Sequence, residues 1–294
     1  MTILQAFLQG VLQGLTEFLP VSSSGHLSLF QYFSGHAGDT GFLFSILLHA
    51  GTLVAVCILF WRTILELIVE GLRLLGDLVT GRLFRRGMRS FPPARRMILM
   101  LALSLIPLFV MLLFKDFVEQ FSTDRDITVE GFCFLITGLL LTVASRHDRG
   151  RRTAKDMTAK SAAAIGIAQV VATMPGISRS GSTICTGMLW GLQREFAVTY
   201  SFILGIPAVL GAIVLEVPDA VREGIQLPLG VILTGFFTSL VVGILAIRTV
   251  QWVVRGNKLK YFGWYTLALG TLTLVVGFSD RLLGYPIQQF FSSL

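Results

Sequence analysis

The sequence predicts an all-α integral membrane protein, with six transmembrane helices plus two re-entrant helical hairpins in an inverted-topology repeat. Three observations carry that expectation: an excess of apolar residues, the placement of the basic ones, and an internal similarity between two short polar segments. The 294-residue chain is 53% hydrophobic and only 14% charged, with a mean hydropathy of +0.74. An average soluble domain carries about 25% charged residues.

Six apolar stretches reach spanning length, at 42–61, 97–114, 127–145, 198–217, 228–247 and 261–278. Each is close to the ~20 residues needed to cross a hydrocarbon core of ~30 Å. The net charge of +7 sits mostly in the loops between them. That excludes a nucleic-acid footprint and makes the charge a topology signal. Residues 82–96 hold six arginines and no acid, and 146–160 hold six Arg or Lys against two Asp. Two spans separate these segments, so both face one side, the cytoplasm. The segment 115–126, with four acids against two bases, falls outside, as does 218–227, while Arg248, Arg255, Lys258 and Lys260 return to the cytoplasm.

The crossings balance only if segments 2–33 and 161–192 enter the membrane and leave it on the side they came from. In the first, Pro20 and three serines stop the apolar run Leu4–Leu19, and Leu27–Phe33 is too short to cross. A turn at membrane depth is tolerated where it is buried in protein or lines a wet cavity. The alternative, an ordinary first span ending in a surface loop, spoils the balance. The N-terminal MTILQAFLQG has no basic n-region and no small-residue cleavage site, and is expected to be retained. Cys57, Cys133 and Cys185 lie in or beside apolar segments without metal-binding spacing, and read as small buried hydrophobes.

A gapless shift of 156 residues lays GVLQGLTEFLPVSSSGHL (10–27) over GIAQVVATMPGISRSGST (166–183). It pairs Gly10 with Gly166, Gln13 with Gln169, Ser22 with Ser178, Ser24 with Ser180 and Gly25 with Gly181, and it continues through Gly35/Gly191, Asp39/Glu195, Ser45/Ser201 and Leu48/Leu204. We read a duplication within a single membrane domain, 1–294: repeat one spans about 1–145 and repeat two about 161–278. Three spans separate the hairpins, so the second copy is inverted and the two turns meet from opposite sides.

Polar groups in a membrane are costly and usually functional. Gln13 and Glu17 share a helical face at i, i+4, and Ser22, Ser23, Ser24 and His26 follow the break. The second segment adds Ser178, Arg179, Ser180 and Thr183. A helix starting after each turn aims free N–H groups at a shared cavity, which makes an anion site. Arg179 adds a permanently charged fork suited to phosphate oxygens. Serine, histidine, glutamate and arginine around such a site read as phosphoryl transfer. Four plainer readings stand beside this one: Ser22 and Ser178 as helix caps, Glu17 as a neutral, hydrogen-bonded core acid, His26 as a satisfied interfacial histidine, and Arg179 with Glu17 as a structural ion pair.

GLTEFLPVSSSGH and PGISRSGST resemble the two signatures of the bacterial undecaprenyl-diphosphatase family, associated with bacitracin resistance. The first is similar to a Glu/Gln-xxx-Glu element followed by a serine–glycine–histidine turn, the second to PGxSRSxxT. The resemblance covers nearly the whole chain. It implies hydrolysis of undecaprenyl diphosphate to the monophosphate at a site facing the periplasm or cell exterior. It also implies dependence on a divalent cation, Mg²⁺ or Ca²⁺, and a multi-pass home in the bacterial inner membrane. By position it makes Ser23 the nucleophile, His26 the motif histidine, Glu17 an acidic group able to hold the cation, and Arg179 the motif arginine. Gln13, Ser22, Ser24, Ser178, Ser180 and Thr183 become substrate-binding positions. Gln13 stands at the first acidic position of the pattern, and Asp39 is a spare acid near the hairpin mouth. The expected partners are the substrate and membrane lipid, not nucleic acid, with a homodimer allowed. A transporter or flippase for an anionic substrate fits the inverted architecture as well, though it needs no serine–histidine pair beside the phosphate.

Glu66, Glu70 and Arg73, following Arg62, are expected on an amphipathic cytoplasmic segment, and Gly205-Ile-Pro207 marks a kink or a close packing point. His49, Glu130 and Glu216 are polar residues within or at the ends of spans, without an assigned role.

Overall fold

Apolar segments of this length have to satisfy their own backbone groups in lipid, and helices do so within one segment. The computed structural model describes residues 1–34, 42–81, 91–111, 126–147, 150–222, 227–284 and 290. Asp39, the side chain of Glu216 and most of the charged segments 82–96 and 115–126 lie outside the described residues. Eleven helices occur among the described residues, and no strand. They are α1 Ile3–Thr16, α2 Ser23–Ser34, α3 Phe42–Leu59, α4 Trp61–Val79, α5 Pro93–Met111, α6 Thr128–Arg146, α7 Ala159–Val171, α8 Arg179–Leu189, α9 Arg194–Arg222, α10 Leu229–Arg255 and α11 Leu259–Leu282.

Five are long and apolar enough to cross a membrane: α5, α6, α9 over Arg194–Leu215, α10 and α11. A sixth crossing counts if α3 and α4, bent by 85° at their junction, form one broken span. Helices α1, α2, α7 and α8 have 14, 12, 13 and 11 residues. At ~1.5 Å per residue they measure roughly 16–21 Å, short of the ~30 Å core. A non-helical turn joins each pair, at residues 17–22 and 172–178. Helices α1 and α7 begin alike: Thr2 Oγ1 accepts the Gln5 N–H and Thr158 Oγ1 the Ser161 N–H, each at 3.2 Å within a capping box.

Apolar helices in lipid gain little from leaving water, so close contact between small residues has to hold them. Helix α6 packs along α11 in this way: a Cβ at Gly270 would stand 2.8 Å from the Gly131 carbonyl oxygen, and one at Gly138 2.8 Å from that of Gly263. Helix α1 packs on α10, and α7 on α5. Between them a buried cluster that includes Phe18, Ile184, Tyr200, Leu204 and Ile247 surrounds the two turns.

Helix α4 is the expected amphipathic segment. Leu65, Ile68, Leu72 and Leu75 are exposed along one stripe, while Glu70 turns inward. Its carboxylate meets Arg73 at 2.6 Å and Arg95 at 3.3 Å, and Arg95 also reaches Asp77 at 2.7 Å. Residues 93–96 therefore form the first turn of α5 rather than loop, because Pro93 suits the first position of a helix and Arg95 and Arg96 find fixed partners. The side chain of Arg95 is 7% exposed and that of Arg73 66%. Removing Arg95 takes the buried counter-charge from both Glu70 and Asp77. Arg95→Ala is expected to destabilise the protein by about 3–5 kcal/mol, and Arg73→Ala by no more than about 0.5 kcal/mol, as read from thermal unfolding in detergent.

Candidate functional site

Helix α1 ends at Thr16, but Glu17 keeps helical angles (φ −62°, ψ −39°), so its side chain stays on the face of Gln13. Gln13 Nε2 donates to Glu17 Oε2 at 3.0 Å. The chain reverses at Ser22, whose φ of +73° lies in the left-handed region that a Cβ disfavours. Ser22 Oγ accepts the Gly25 N–H at 3.3 Å and lies 3.3 Å from Ser24 Oγ. In the second turn Ser178 Oγ accepts the Gly181 N–H at 3.0 Å and lies 3.2 Å from Ser180 Oγ. Ser22 and Ser178 are thus helix caps of one design. The left-handed residue differs between the turns: here it is Gly176, at φ +90°.

The turns touch. A Cβ on Gly25 would stand 2.8 Å from Gly176 Cα and 2.6 Å from the Phe134 ring, and one on Gly176 2.8 Å from the Glu130 carbonyl oxygen. Ser180 Oγ donates across to the Leu19 carbonyl at 3.3 Å. From α6, Thr137 Oγ1 donates to the Gly176 carbonyl and accepts the Ser178 N–H, both at 3.2 Å.

This contact brings the first residues of α2 and α8, Ser23 and Arg179, to one carboxylate. Ser23 Oγ donates to Glu17 Oε2 at 3.1 Å, and Arg179 Nη2 pairs with Glu17 Oε1. His49 on α3 stands 3.9 Å from Glu17 Oε2 through Nε2. Its Nδ1 lies 2.9 Å from the Ser45 carbonyl, which can only accept, so Nδ1 carries a proton and Nε2 is the nitrogen that faces Glu17. A cavity of about 250 Å³ collects Glu17, Ser22, Ser23, Ser24, His49, Ser178 and Arg179 on its wall, with Thr173, Leu108, Ala208, Val209 and Ala212 opposite. Side-chain exposures of 28% for Arg179, 35% for His49 and 7% for Glu17 set the carboxylate behind and the guanidinium and imidazole in front.

Other expected residues lie off this cavity. His26 turns away: Nδ1 meets the Ser22 carbonyl at 2.8 Å and Nε2 meets the Tyr265 hydroxyl at 2.7 Å, with the ring edge-on to Phe134. Thr183 is buried between α8 and α9, donating to the Arg179 carbonyl at 2.9 Å with Ser201 Oγ 2.5 Å away. Gln13 is buried behind Glu17. Ser180 lines a narrow adjoining pocket with Glu17, Arg179 and Gly205, the close-packing point expected in α9. His49 is the residue that motif reading passed over. Its one signal was a histidine inside an apolar span.

The arrangement provides a hydroxyl with a carboxylate on its proton, a guanidinium as counter-charge and a nearby imidazole. It does not provide a protein cage for a metal: no group of three His, Cys, Asp or Glu is close enough among the described residues.

Residues 6–272 match the family model described as bacitracin resistance protein BacA. The chain is 38% identical over 276 residues to the undecaprenyl-diphosphatase of Methanosphaera stadtmanae, covering 93% of this chain and 98% of that protein. It is 40% identical to the undecaprenyl-diphosphatases of Treponema denticola, over 276 residues, and Rubrobacter xylanophilus, over 272, covering 92% of this chain and 96% of the relative in both cases.

Because Gly176 combines a left-handed backbone with a contact that leaves no room for a Cβ, Gly176→Ala is expected to cost about 1–3 kcal/mol. It should lower the thermal unfolding temperature of the purified protein.

Proposed function

The chain belongs to the bacitracin resistance protein BacA family, and we infer that it is an undecaprenyl-diphosphatase. It hydrolyses undecaprenyl diphosphate to undecaprenyl phosphate and inorganic phosphate, recycling the lipid carrier for cell-wall synthesis. The observation that carries the reading is Ser23 Oγ at 3.1 Å from a carboxylate that a second hairpin holds through Arg179.

In this mechanism Arg179 and the free N–H groups at the starts of α2 and α8 hold the diphosphate oxygens. Ser23 Oγ attacks the terminal phosphorus while its proton passes to Glu17 Oε2. The bridging P–O bond breaks and the lipid monophosphate leaves. Water then attacks the phosphoserine, giving its proton to His49 Nε2, and Glu17 returns the first proton to Ser23 as inorganic phosphate departs. His26 braces the turn from behind, and Gln13 keeps the Glu17 carboxylate aimed. Within the cavity Glu17 cancels the charge of Arg179, so a diphosphate needs further neutralisation. A divalent cation, Mg²⁺ or Ca²⁺, supplies that charge when bound. The donor set suits one that arrives on substrate oxygens with Glu17 as its single carboxylate.

The finer architecture belongs to the same proposal. Four helices too short to cross, matching capping boxes at Thr2 and Thr158, and two turns in contact support re-entrant hairpins in an inverted repeat, 1–145 and 161–278. The cavity is lined by Leu108, Ala208, Val209 and Ala212, more than a helical turn along α5 and α9 from Arg95, Arg96 and Arg194 at their starts. This supports a site that opens to the periplasm or exterior of the cytoplasmic membrane.

Purified protein is expected to release phosphate from undecaprenyl diphosphate in detergent when a divalent cation is present. Ser23→Ala and Arg179→Ala should each lower kcat/KM by about 10²–10³-fold. Label from substrate phosphate should be trapped on wild type and absent from Ser23→Ala. Full activity in Ser23→Ala would sink the covalent path, and lipid translocation without phosphate release would favour a carrier instead. His49→Ala should reduce kcat more than His26→Ala, the reverse of the order that the motif alone suggests.

A further inference from the structure

Helix α7 carries the counterpart of Gln13 in the second hairpin. Gln169 lies 156 residues on, in the same register that pairs Gly10 with Gly166. Both glycines mark points where their helices pack closely. A Cβ on Gly10 would stand 3.0 Å from the Gly235 carbonyl oxygen on α10, and one on Gly166 2.5 Å from that of Ser104 on α5. Each glutamine follows its glycine by three residues and so stands on the packed side of its helix. Gln13 is 8% exposed and Gln169 only 2%.

The two amides differ in what they meet. Gln13 Nε2 donates to Glu17 Oε2 at 3.0 Å, four residues further along the helix. Four residues after Gln169 stands Thr173, whose hydroxyl donates to the Val170 carbonyl at 2.7 Å. Gln169 Nε2 is buried and has no hydrogen-bond partner among the described residues. Its side chain lines the Glu17 cavity, and Thr173 lines it too.

A buried amide donor without an acceptor costs more than an apolar group of the same shape in its place. An occupant of the cavity that brings an oxygen offsets that cost. In the first hairpin the acceptor is a carboxylate of the protein itself. The second hairpin has none at the matching position, and an anionic oxygen of the substrate fills the same role. Arg179 shares its charge with Glu17, so a neutral donor strengthens the hold on a diphosphate without burying a further charge.

We propose, resting on the hydrolytic reading of this cavity, that Gln169 is a substrate-binding residue, its Nε2 donating to a phosphate oxygen of the bound diphosphate. The experiment uses full-length protein in detergent with a divalent cation. Phosphate release from undecaprenyl diphosphate gives KM and kcat. Binding is read separately in the Ser23→Ala background, from the rise in unfolding temperature as undecaprenyl diphosphate or inorganic diphosphate is added. Gln169→Met, nearly isosteric but without the donor, is expected to weaken binding of both ligands about tenfold and to lower kcat/KM mainly through KM. Gln169→Glu should weaken binding further by repulsion. Without ligand, Gln169→Met should unfold at the wild-type temperature or above it, because the unmet donor is gone. Gln13→Met should unfold lower, because Glu17 loses a donor. Gln193→Met, at an exposed position outside the cavity, should change neither binding nor stability. A lowered unfolding temperature in unliganded Gln169→Met would make the residue a brace, and unchanged binding would leave its amide to water; either result overturns the assignment. Loss confined to the lipid ligand would overturn a contact with the phosphates. Binding that depends on Gln169 in a wild-type protein that releases no phosphate would keep the contact and overturn the hydrolytic reading.

Discussion

A buried carboxylate has to be compensated by its surroundings, and Glu17 is compensated from four sides. Gln13 and Ser23 donate to one oxygen, Arg179 covers the other, and His49 faces the first at 3.9 Å. No single segment of the chain could do this. Gln13 lies a helical turn before Glu17, Ser23 follows the reversal, His49 belongs to the next helix, and Arg179 comes from more than half the chain away. The turn at Ser22, the contact between Gly25 and Gly176, and the clamp from Thr137 all serve to bring these groups within reach. Desolvation makes the pairing expensive unless every lone pair is met, which explains why so much of the local fold is concerned with one side chain.

The two hairpins share a scaffold and divide the chemistry. Their caps agree at Ser22 and Ser178, and so do the hydroxyls at Ser24 and Ser180. At the first residue of the helix after the turn, one segment has a serine and the other an arginine, and where the first has Glu17 the second has Thr173. A nucleophile and its acceptor come from one side, and the positive charge from the other. Two identical copies could not have done this, since two glutamates or two arginines facing each other would repel.

Much of this was legible in the sequence because membranes simplify the code. Five of the six expected spans followed from apolar length, with ends displaced by up to eight residues where α9, α10 and α11 extend past the apolar stretch. The expected span 42–61 ends at the 85° bend between α3 and α4. The cap serines and the Glu17–Arg179 partnership followed from spacing and charge. What could not be read was direction. His26 and Ser23 are three residues apart, and on paper both belong to the site. Both lie in the first turn of α2, yet the Ser23 hydroxyl reaches back to Glu17 while the His26 ring reaches Tyr265. His49 stood out in the sequence only as a histidine inside an apolar span, because it reaches the carboxylate through the packing of α3 beside the hairpin. Residues 93–96 looked like a charged loop until Glu70 and Asp77 on α4 gave Arg95 a reason to be helical.

The glycine contact between the turns bears on motion as well as position. A carrier that exposes its site first to one side and then to the other has to let its two halves slide or rock at their interface. Here that interface is made of backbone against backbone at Gly25 and Gly176, a hydroxyl on the opposite carbonyl at Leu19, and an ion pair between the halves. Parting them would leave the Glu17 carboxylate, whose side chain is 7% exposed, without the Arg179 guanidinium. The junction is therefore stiff where a carrier would need it to yield. Any breathing that admits a long lipid falls to the outer helices, while the meeting point of the two hairpins stays still.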